Sequence, residues 1–328
     1  MRIAICGSIA TDHLMTFQGR FADSLVVEQL DKISVSFLAS DLQIRRGGIA
    51  ANISFGMAQL GQEPVLVGSV GEDFGDYRSW LERHGVDCES VHVSETLHTA
   101  RFVCTTDDDM AQMATFYAGA MAEAREIELG PIMRRLGGLD LVLIGADDPE
   151  AMLRHTEECR TRGLAFVADP SQQLAFADGT FIRRLIDGAD YLFTNEYESH
   201  LTEQKTGWSA EEIGERVMTR VTTKGRDGAT VYARGDEPVH VDVATDVTPL
   251  DPTGVGDAFR AGFLTGLVSG LPHRRCAELG SVLAAYVIET VGTQEYRLSK
   301  RAFLGRLARS YGDEAAAEIE PHIFCPMP

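Results

Sequence analysis

The segment Asp251-Pro252-Thr253-Gly254-Val255-Gly256-Asp257-Ala258-Phe259 sets two glycines ahead of an acidic residue and a helix-forming run that continues Arg260-Ala261-Gly262-Phe263-Leu264. A glycine-rich turn feeding a helix presents backbone N–H groups without helical partners at the positive end of the helix dipole, which suits an anion and above all a phosphate. Asp257 would repel a resting phosphate unless it has a task. Taking the proton from a hydroxyl that attacks phosphorus is such a task. The bland alternative is a glycine turn followed by an ordinary helix start.

Four further groups carry donors and acceptors at suggestive places. Arg46-Gly47-Gly48-Ile49-Ala50-Ala51-Asn52 leads into an apolar helix; its glycines allow close backbone approach, and Asn52 offers a donor and an acceptor to a sugar diol. Asp12, in Gly7-Ser8-Ile9-Ala10-Thr11-Asp12, has a carboxylate able to accept two vicinal hydroxyl protons at once. Asn195-Glu196-Tyr197-Glu198 and Thr223-Lys224-Gly225-Arg226-Asp227-Gly228 each follow a short apolar run. A helix cap or a plain β-turn accounts for each of the four almost as well.

Composition narrows the partners. The chain has 328 residues, 44% hydrophobic and 24% charged, as in an ordinary globular enzyme. No apolar run reaches membrane-spanning length, and Met1-Arg2-Ile3-Ala4-Ile5-Cys6-Gly7 reads as a buried first strand rather than a secretory signal, so the expected location is cytoplasmic. The six cysteines are scattered without a C-x-x-C pair, and the nine histidines form no metal-ligand spacing. A net charge of −19 argues against nucleic acid or an anionic membrane as partner. It also opposes an anionic nucleotide, so the site must supply local positive potential, and no G-x-x-x-x-G-K-[ST] lysine is present to do so.

The elements that must hold these residues alternate. Apolar runs at 3–6, 65–68, 141–145, 165–168, 191–194 and 221–223 read as strands, and helical patterns stand at 50–59, 151–162, 182–186, 210–218 and 258–268. This predicts a three-layer α/β/α sandwich around a mostly parallel sheet, with ligands beyond the carboxyl ends of the strands, where Asp169-Pro170, Asn195 and Lys224-Gly225 fall. Two stretches break the alternation. Residues 32–45 and 91–117 carry two-fold patterning, as in Ser34-Val35-Ser36-Phe37-Leu38 and Ala100-Arg101-Phe102-Val103-Cys104. They predict a small β-lid from residues 12–45 and 91–118 over a large domain of residues 1–11, 46–90 and 119–328, either closing on the cleft or forming a static edge. Residues beyond 270 read as helical, with a loosely held tail at 321–328.

The string at 251–259 resembles, at every position, the second signature D-[TP]-T-G-[AV]-G-D-[AS]-F of the ribokinase-like (PfkB) carbohydrate and nucleoside kinases. Gly47-Gly48 with Asn52, followed by Val70-Gly71-Glu72-Asp73-Phe74-Gly75, resembles their first signature. The resemblance implies ATP-dependent transfer with Asp257 as base and Gly254, Val255 and Gly256 as anion hole. It places Asp12 and Asn52 on the sugar with Ser8 and Gly48 beside them, and Asn195 and Glu198 around Mg²⁺ largely through water. It sets Asn195, Thr223, Gly225 and Gly228 along ATP, and K⁺ near Asp251 and Thr253. Finer likeness in Gly7–Leu14, His98-Thr99-Ala100-Arg101-Phe102, Asp169-Pro170-Ser171-Gln172-Gln173-Leu174 and Gly292-Thr293-Gln294-Glu295 is to bacterial adenosine kinases, implying adenosine as substrate and a homodimer paired through the lid. Phe102 and Phe116 are placed to sandwich a purine, and Gln172 and Gln173 to read its edge. The alternatives are a ribose, other sugar, guanosine or inosine kinase, or a silent nucleoside-binding regulator. A dinucleotide oxidoreductase is disfavoured, because Gly7-Ser8-Ile9-Ala10-Thr11-Asp12 stands where G-x-G-x-x-G is needed.

Overall fold

The computed structural model describes residues 1–25, 32 and 34–324. Strands are numbered in chain order: β1 (Ile3–Cys6), β2 (Ala10–Phe17), β3 (Ala39–Gly47), β4 (Val65–Val67), β5 (Ser69–Gly71), β6 (His92–Ser94) and β7 (Ala100–Thr106). Then follow β8 (Gln112–Tyr117), β9 (Leu141–Ile144), β10 (Ala165–Ala168), β11 (Tyr191–Asn195), β12 (Thr219–Thr223), β13 (Ala229–Ala233) and β14 (Val239–Val241). The main sheet runs β14-β13-β12-β11-β10-β9-β1-β4, parallel from β4 to β12 and antiparallel at β13 and β14.

The parallel strands are apolar throughout because both faces are covered. Alternate residues of one strand serve different cores: Ile3, Ile5, Leu141 and Leu143 pack into one, Ala4, Cys6, Val142 and Ile144 into the other. The first core is closed by helices Ile49–Gln59, Val255–Val268, His273–Ile288 and Lys300–Tyr311, and the second by Pro149–Arg162 and Gly179–Ile186. Among the described residues no helix is long and apolar enough to cross a membrane.

One contact in the first core positions the site. A Cβ on Gly56 would lie 2.7 Å from Ala261 Cβ, so only a glycine lets helices Ile49–Gln59 and Val255–Val268 approach this closely. Asn52 and Asp257 stand one helical turn ahead of these two residues, on the same faces, and therefore meet.

The lid is a four-stranded sheet in the order β3-β2-β7-β8, joined to the body by residues 7–9 before β2, Gly48 after β3, residues 95–99 before β7 and Ala118 after β8. Its outline differs from expectation in two places. β6 pairs with β5 instead of joining the lid. Residues 34–38 form no strand; Phe37 instead packs its ring against Phe17 and Phe21, with centroids 4.9 and 4.8 Å away. The two-fold pattern there reflects one docked aromatic rather than a ladder. Elsewhere the six expected parallel strands form, β12 starting two residues earlier at Thr219, while the helix expected at 210–218 ends at Arg216. The antiparallel edge pair β13–β14 was not among the expected strands. At the carboxyl end Ile323 is fully buried and Phe324 sets its ring against Phe303, so 321–324 is packed; residues 325–328 of the expected loose tail lie outside the described residues.

Candidate active site

Helix Val255–Val268 begins at Gly254, whose φ of 77° is a left-handed conformation, and no side chain caps it. A Cβ at Gly254 would sit 2.8 Å from the Thr293 methyl, so glycine is required there for space as well as conformation. Gly256 and Asp257 lie in the first turn, where the helix supplies no acceptor for their N–H groups. Val255, also expected in the cradle, donates its N–H to the Pro252 carbonyl at 3.4 Å.

Asp257 is half-buried at its floor. Its Oδ2 accepts the amide N–H of Asn52 at 2.9 Å. Burial raises its carboxyl to a pKa of about 6, against the opposing pull of the Arg260 guanidinium and the Asn52 hydrogen bond. A carboxylate tuned upward in this way is a stronger base that is still ionised at neutral pH.

Arg260, one turn further along, was not singled out in the sequence. It is buried, pairs with the fully buried Asp169 (2.7 Å from Nη2 to Oδ1) and lies 4.0 Å from Glu198. A Cβ on Gly256 would be 2.9 Å from Arg260 Nη1, so the guanidinium sits directly under the cradle. Burial raises the Asp169 pKa, and Arg260 opposes the shift without reversing it. Its charge is already set against Asp169, Glu198 and Asp257, so the local positive potential that a chain of charge −19 needs falls to the helix terminus. The signal for Arg260 was the single basic residue in a helix that is apolar apart from it, Asp257 and Thr265.

The other expected residues divide by what already occupies them. Asn195 and Glu198 form a reciprocal capping box on helix Glu196–Thr206, each side chain taking the other's backbone N–H at 2.8 Å. Burial raises the Glu198 pKa, with Arg260 opposing. Ser8 Oγ accepts the Ile49 N–H at 3.1 Å, and Gly48 is forced, since a Cβ there would meet the Ser8 carbonyl at 2.5 Å. Both thus start the Asn52 helix. Gly225 has open space where a Cβ would be, so its backbone is approachable, whereas Gly228 is pressed against the Val241 carbonyl. Thr223 ends β12 beside them. Asp251 accepts the N–H groups of Thr253 (2.9 Å) and Gly292 (3.0 Å); burial pushes its pKa up, but these bonds and Arg45 outweigh that and leave it lowered.

On the lid, Asp12 pairs directly with Phe102, and Phe102 with Phe116, so the three share one face. Burial raises the Asp12 pKa, Arg45 opposing and Glu295 reinforcing. Arg45 also donates to the Val291 carbonyl at 2.6 Å, which sets this lid face over segment 291–295 and hence over Asn52 and Asp257. Gln172 is exposed, and Gln173 spends its amide N–H on the Asp147 carbonyl at 2.8 Å, beside β9 rather than beside the lid.

A first-turn amide cradle facing a raised-pKa carboxylate, at the carboxyl edge of a doubly covered parallel sheet under a β-lid, defines a ribokinase-like phosphotransferase. The chain belongs to the pfkB family of carbohydrate kinases, whose pattern matches residues 12–301. The nucleoside kinase of Methanocaldococcus jannaschii is 27% identical over 295 residues, 89% of this chain and 92% of that protein. The ligand-free nucleoside kinase of Burkholderia thailandensis is 35% identical and superposes with a TM-score of 0.85 over 93% of this chain and 99% of that one. Its complex with inosine is 34% identical, with a TM-score of 0.81 over 94% and 98%.

Proposed function

We propose that this kinase transfers the γ-phosphate of ATP to the 5′-hydroxyl of a purine nucleoside, adenosine in the first instance, giving AMP and ADP. The observation that carries this reading is the Asn52–Asp257 hydrogen bond at the mouth of the amide cradle, under a lid face that presents a carboxylate and two aromatic rings together. Asp12 and Asn52 take the ribose hydroxyls, and Phe102 and Phe116 offer the flat apolar faces that a purine uses and a free sugar does not. The kinship to nucleoside kinases supports the same choice.

In the transfer, Asp257 accepts the proton of the 5′-hydroxyl as that oxygen bonds to the γ-phosphorus. The bond from the γ-phosphorus to the β,γ-bridging oxygen breaks, and ADP leaves. The N–H groups at the start of the helix, those of Gly256 and Asp257 foremost since Val255 gives its own to the Pro252 carbonyl, hold the transferring oxygens, so positioning and electrostatics carry most of the rate. ATP lies along Asn195, Thr223, Gly225 and Gly228. Among the described residues no cluster of three or more metal-ligating side chains exists. Mg²⁺ would come with the phosphates and keep its hydration, reached through water by Glu198 and Asn195, and would neutralise phosphate charge there. K⁺ is assigned to the loop that Asp251 organises around Thr253.

A homodimer through the lid is part of this reading. The lid face opposite Asp12 carries Leu42, Ile44, Met113 and Tyr117, each 40–61% exposed, an apolar stripe that a second copy would cover.

The test is ADP release from Mg-ATP with adenosine, inosine, guanosine, ribose and fructose 6-phosphate presented singly. Adenosine is expected to give the highest kcat/KM. A preference for inosine, which the Burkholderia thailandensis enzyme binds, would move the assignment to a 6-oxopurine kinase. Turnover on ribose without turnover on any nucleoside would overturn the nucleoside reading, and none on any acceptor would favour a silent regulator.

A further inference from the structure

The motif Gly292-Thr293-Gln294-Glu295 has no part in the transfer step as derived so far, yet Gln294 is 1% exposed and fully hydrogen-bonded. Its Oε1 accepts the indole N–H of Trp80 at 3.1 Å. Its Nε2 donates to Asn52 Oδ1 at 2.9 Å and to the Tyr77 hydroxyl at 2.6 Å. The Tyr77 hydroxyl in turn donates to the Gly47 carbonyl at 2.9 Å.

Amide side chains can reverse at little steric cost, so the direction of such a chain has to be imposed. Here it is imposed from both ends. An indole N–H only donates, so Gln294 must turn its oxygen to Trp80. A backbone carbonyl only accepts, so Tyr77 must spend its proton on Gly47 and accept from Gln294. Both anchors therefore aim the Gln294 nitrogen at Asn52. Asn52 is then obliged to turn its oxygen to Gln294 and its N–H to Asp257 Oδ2. Trp80 cannot swing away, because its ring is stacked on Phe55 (5.9 Å, 13°), packed on His84 at 4.3 Å and covered by the Arg46 guanidinium at 4.3 Å.

We propose that Gln294, held in one orientation by Trp80 and Tyr77, is a positioning residue that fixes Asn52 as a donor to Asp257, so that the second carboxylate oxygen is left to receive the substrate hydroxyl proton. Reversal of Asn52 would set its oxygen against Asp257 Oδ2, removing a charge-assisted hydrogen bond and adding repulsion in its place. The inference rests on the assignment of Asp257 as base.

Gln294→Glu reverses the polarity with almost no change of shape. The new carboxylate accepts from Trp80, no longer donates to the Tyr77 hydroxyl, whose single proton is held by the Gly47 carbonyl, and draws the Asn52 N–H away from Asp257. The expected result is a fall in kcat of about 10- to 100-fold, with KM for ATP changed by less than about threefold. Gln294→Met loses three hydrogen bonds and more stability and leaves Asn52 held by Asp257 alone, so kcat is expected to fall by about three- to tenfold, less than in Gln294→Glu. A merely structural role predicts the opposite order. Trp80→Phe combined with Tyr77→Phe removes both anchors while keeping Gln294 and Asn52, and is expected to lower kcat about tenfold. The proposal is overturned if Gln294→Glu retains kcat within about twofold, or if Gln294→Met loses as much as Gln294→Glu. Should Gln294→Glu fail to fold, undiminished kcat in the double variant overturns it equally. Asp257→Asn is assayed alongside: normal turnover there sinks the base assignment, whereas normal turnover in Gln294→Glu beside a dead Asp257→Asn sinks only the positioning role.

Discussion

Asp257 bears two opposed demands, and pH separates them. Its carboxyl has a pKa of about 6 in the fold against 3.8 as a free side chain, so the folded protein binds the proton more tightly. The stabilisation is complete below pH 3.8, where both states are protonated, and is lost as pH rises through about 6. The enzyme is thus least relieved of buried charge where the base is ionised and ready. We expect kcat/KM to fall on the acid side with a midpoint near pH 6. Asp257→Asn should lower kcat by about 10²–10⁴-fold while retaining ATP binding. The same variant should be more stable than the parent at pH 8 by about 1–2 kcal/mol, a gain that vanishes toward pH 4. Thermal unfolding at the two pH values checks this. Equal melting at pH 8, or an acid limb near pH 4, would contradict the buried-acid account.

At the scale of elements, the site exists because two helices touch without side chains between them. Gly56 against Ala261 sets the spacing, and the hydrogen bond one turn away depends on it. Gly56→Ala adds a methyl where 2.7 Å is available, so the helices must part. Its gain in helix propensity of about 1 kcal/mol is outweighed by overpacking of about 1–3 kcal/mol. We expect a net loss of stability together with a several-fold fall in kcat, although residue 56 touches no substrate. Gly214→Ala is the control: it lies in helix Ala210–Arg216 with nothing near its Cβ position, and should stabilise by up to about 1 kcal/mol with kcat unchanged. If both substitutions behave alike, the close contact does not govern the site.

The whole molecule shows what was legible in the sequence and why the rest was not. The helix start at Gly254 could be read because its parts are adjacent in the chain and glycine is required there by both conformation and space. The parallel strands were legible because burial on both faces makes them uniformly apolar. Gln294 meets Asn52 across 242 residues and Trp80 across 214, pairings to which no local rule applies. The lid shows the converse error, in which a docked Phe37 ring imitated the alternation of a strand. Its outer stripe makes a prediction at this scale: Ile44→Lys places a charge on the edge strand of the apolar face, at its most exposed side chain, and should shift the sedimenting species from dimer to monomer while the melting of the main domain is little changed. A parent protein that sediments as a monomer at micromolar concentration would remove the lid pairing.

The capping box at Asn195 and Glu198 alters how this kind of sequence should be searched. Helix Glu196–Thr206 needs the pair to begin, whatever happens at the cleft. A descendant that had abandoned phosphoryl transfer would therefore keep N-x-x-E for the sake of its architecture, and a search keyed to that motif would count it among the living enzymes. Asp257 caps nothing, because its helix starts on Gly254 without a side-chain cap, and its burial burdens the fold. Relaxed selection would discard it early. Asp257 is thus the diagnostic letter, and its loss beside an intact N-x-x-E would mark a retired kinase.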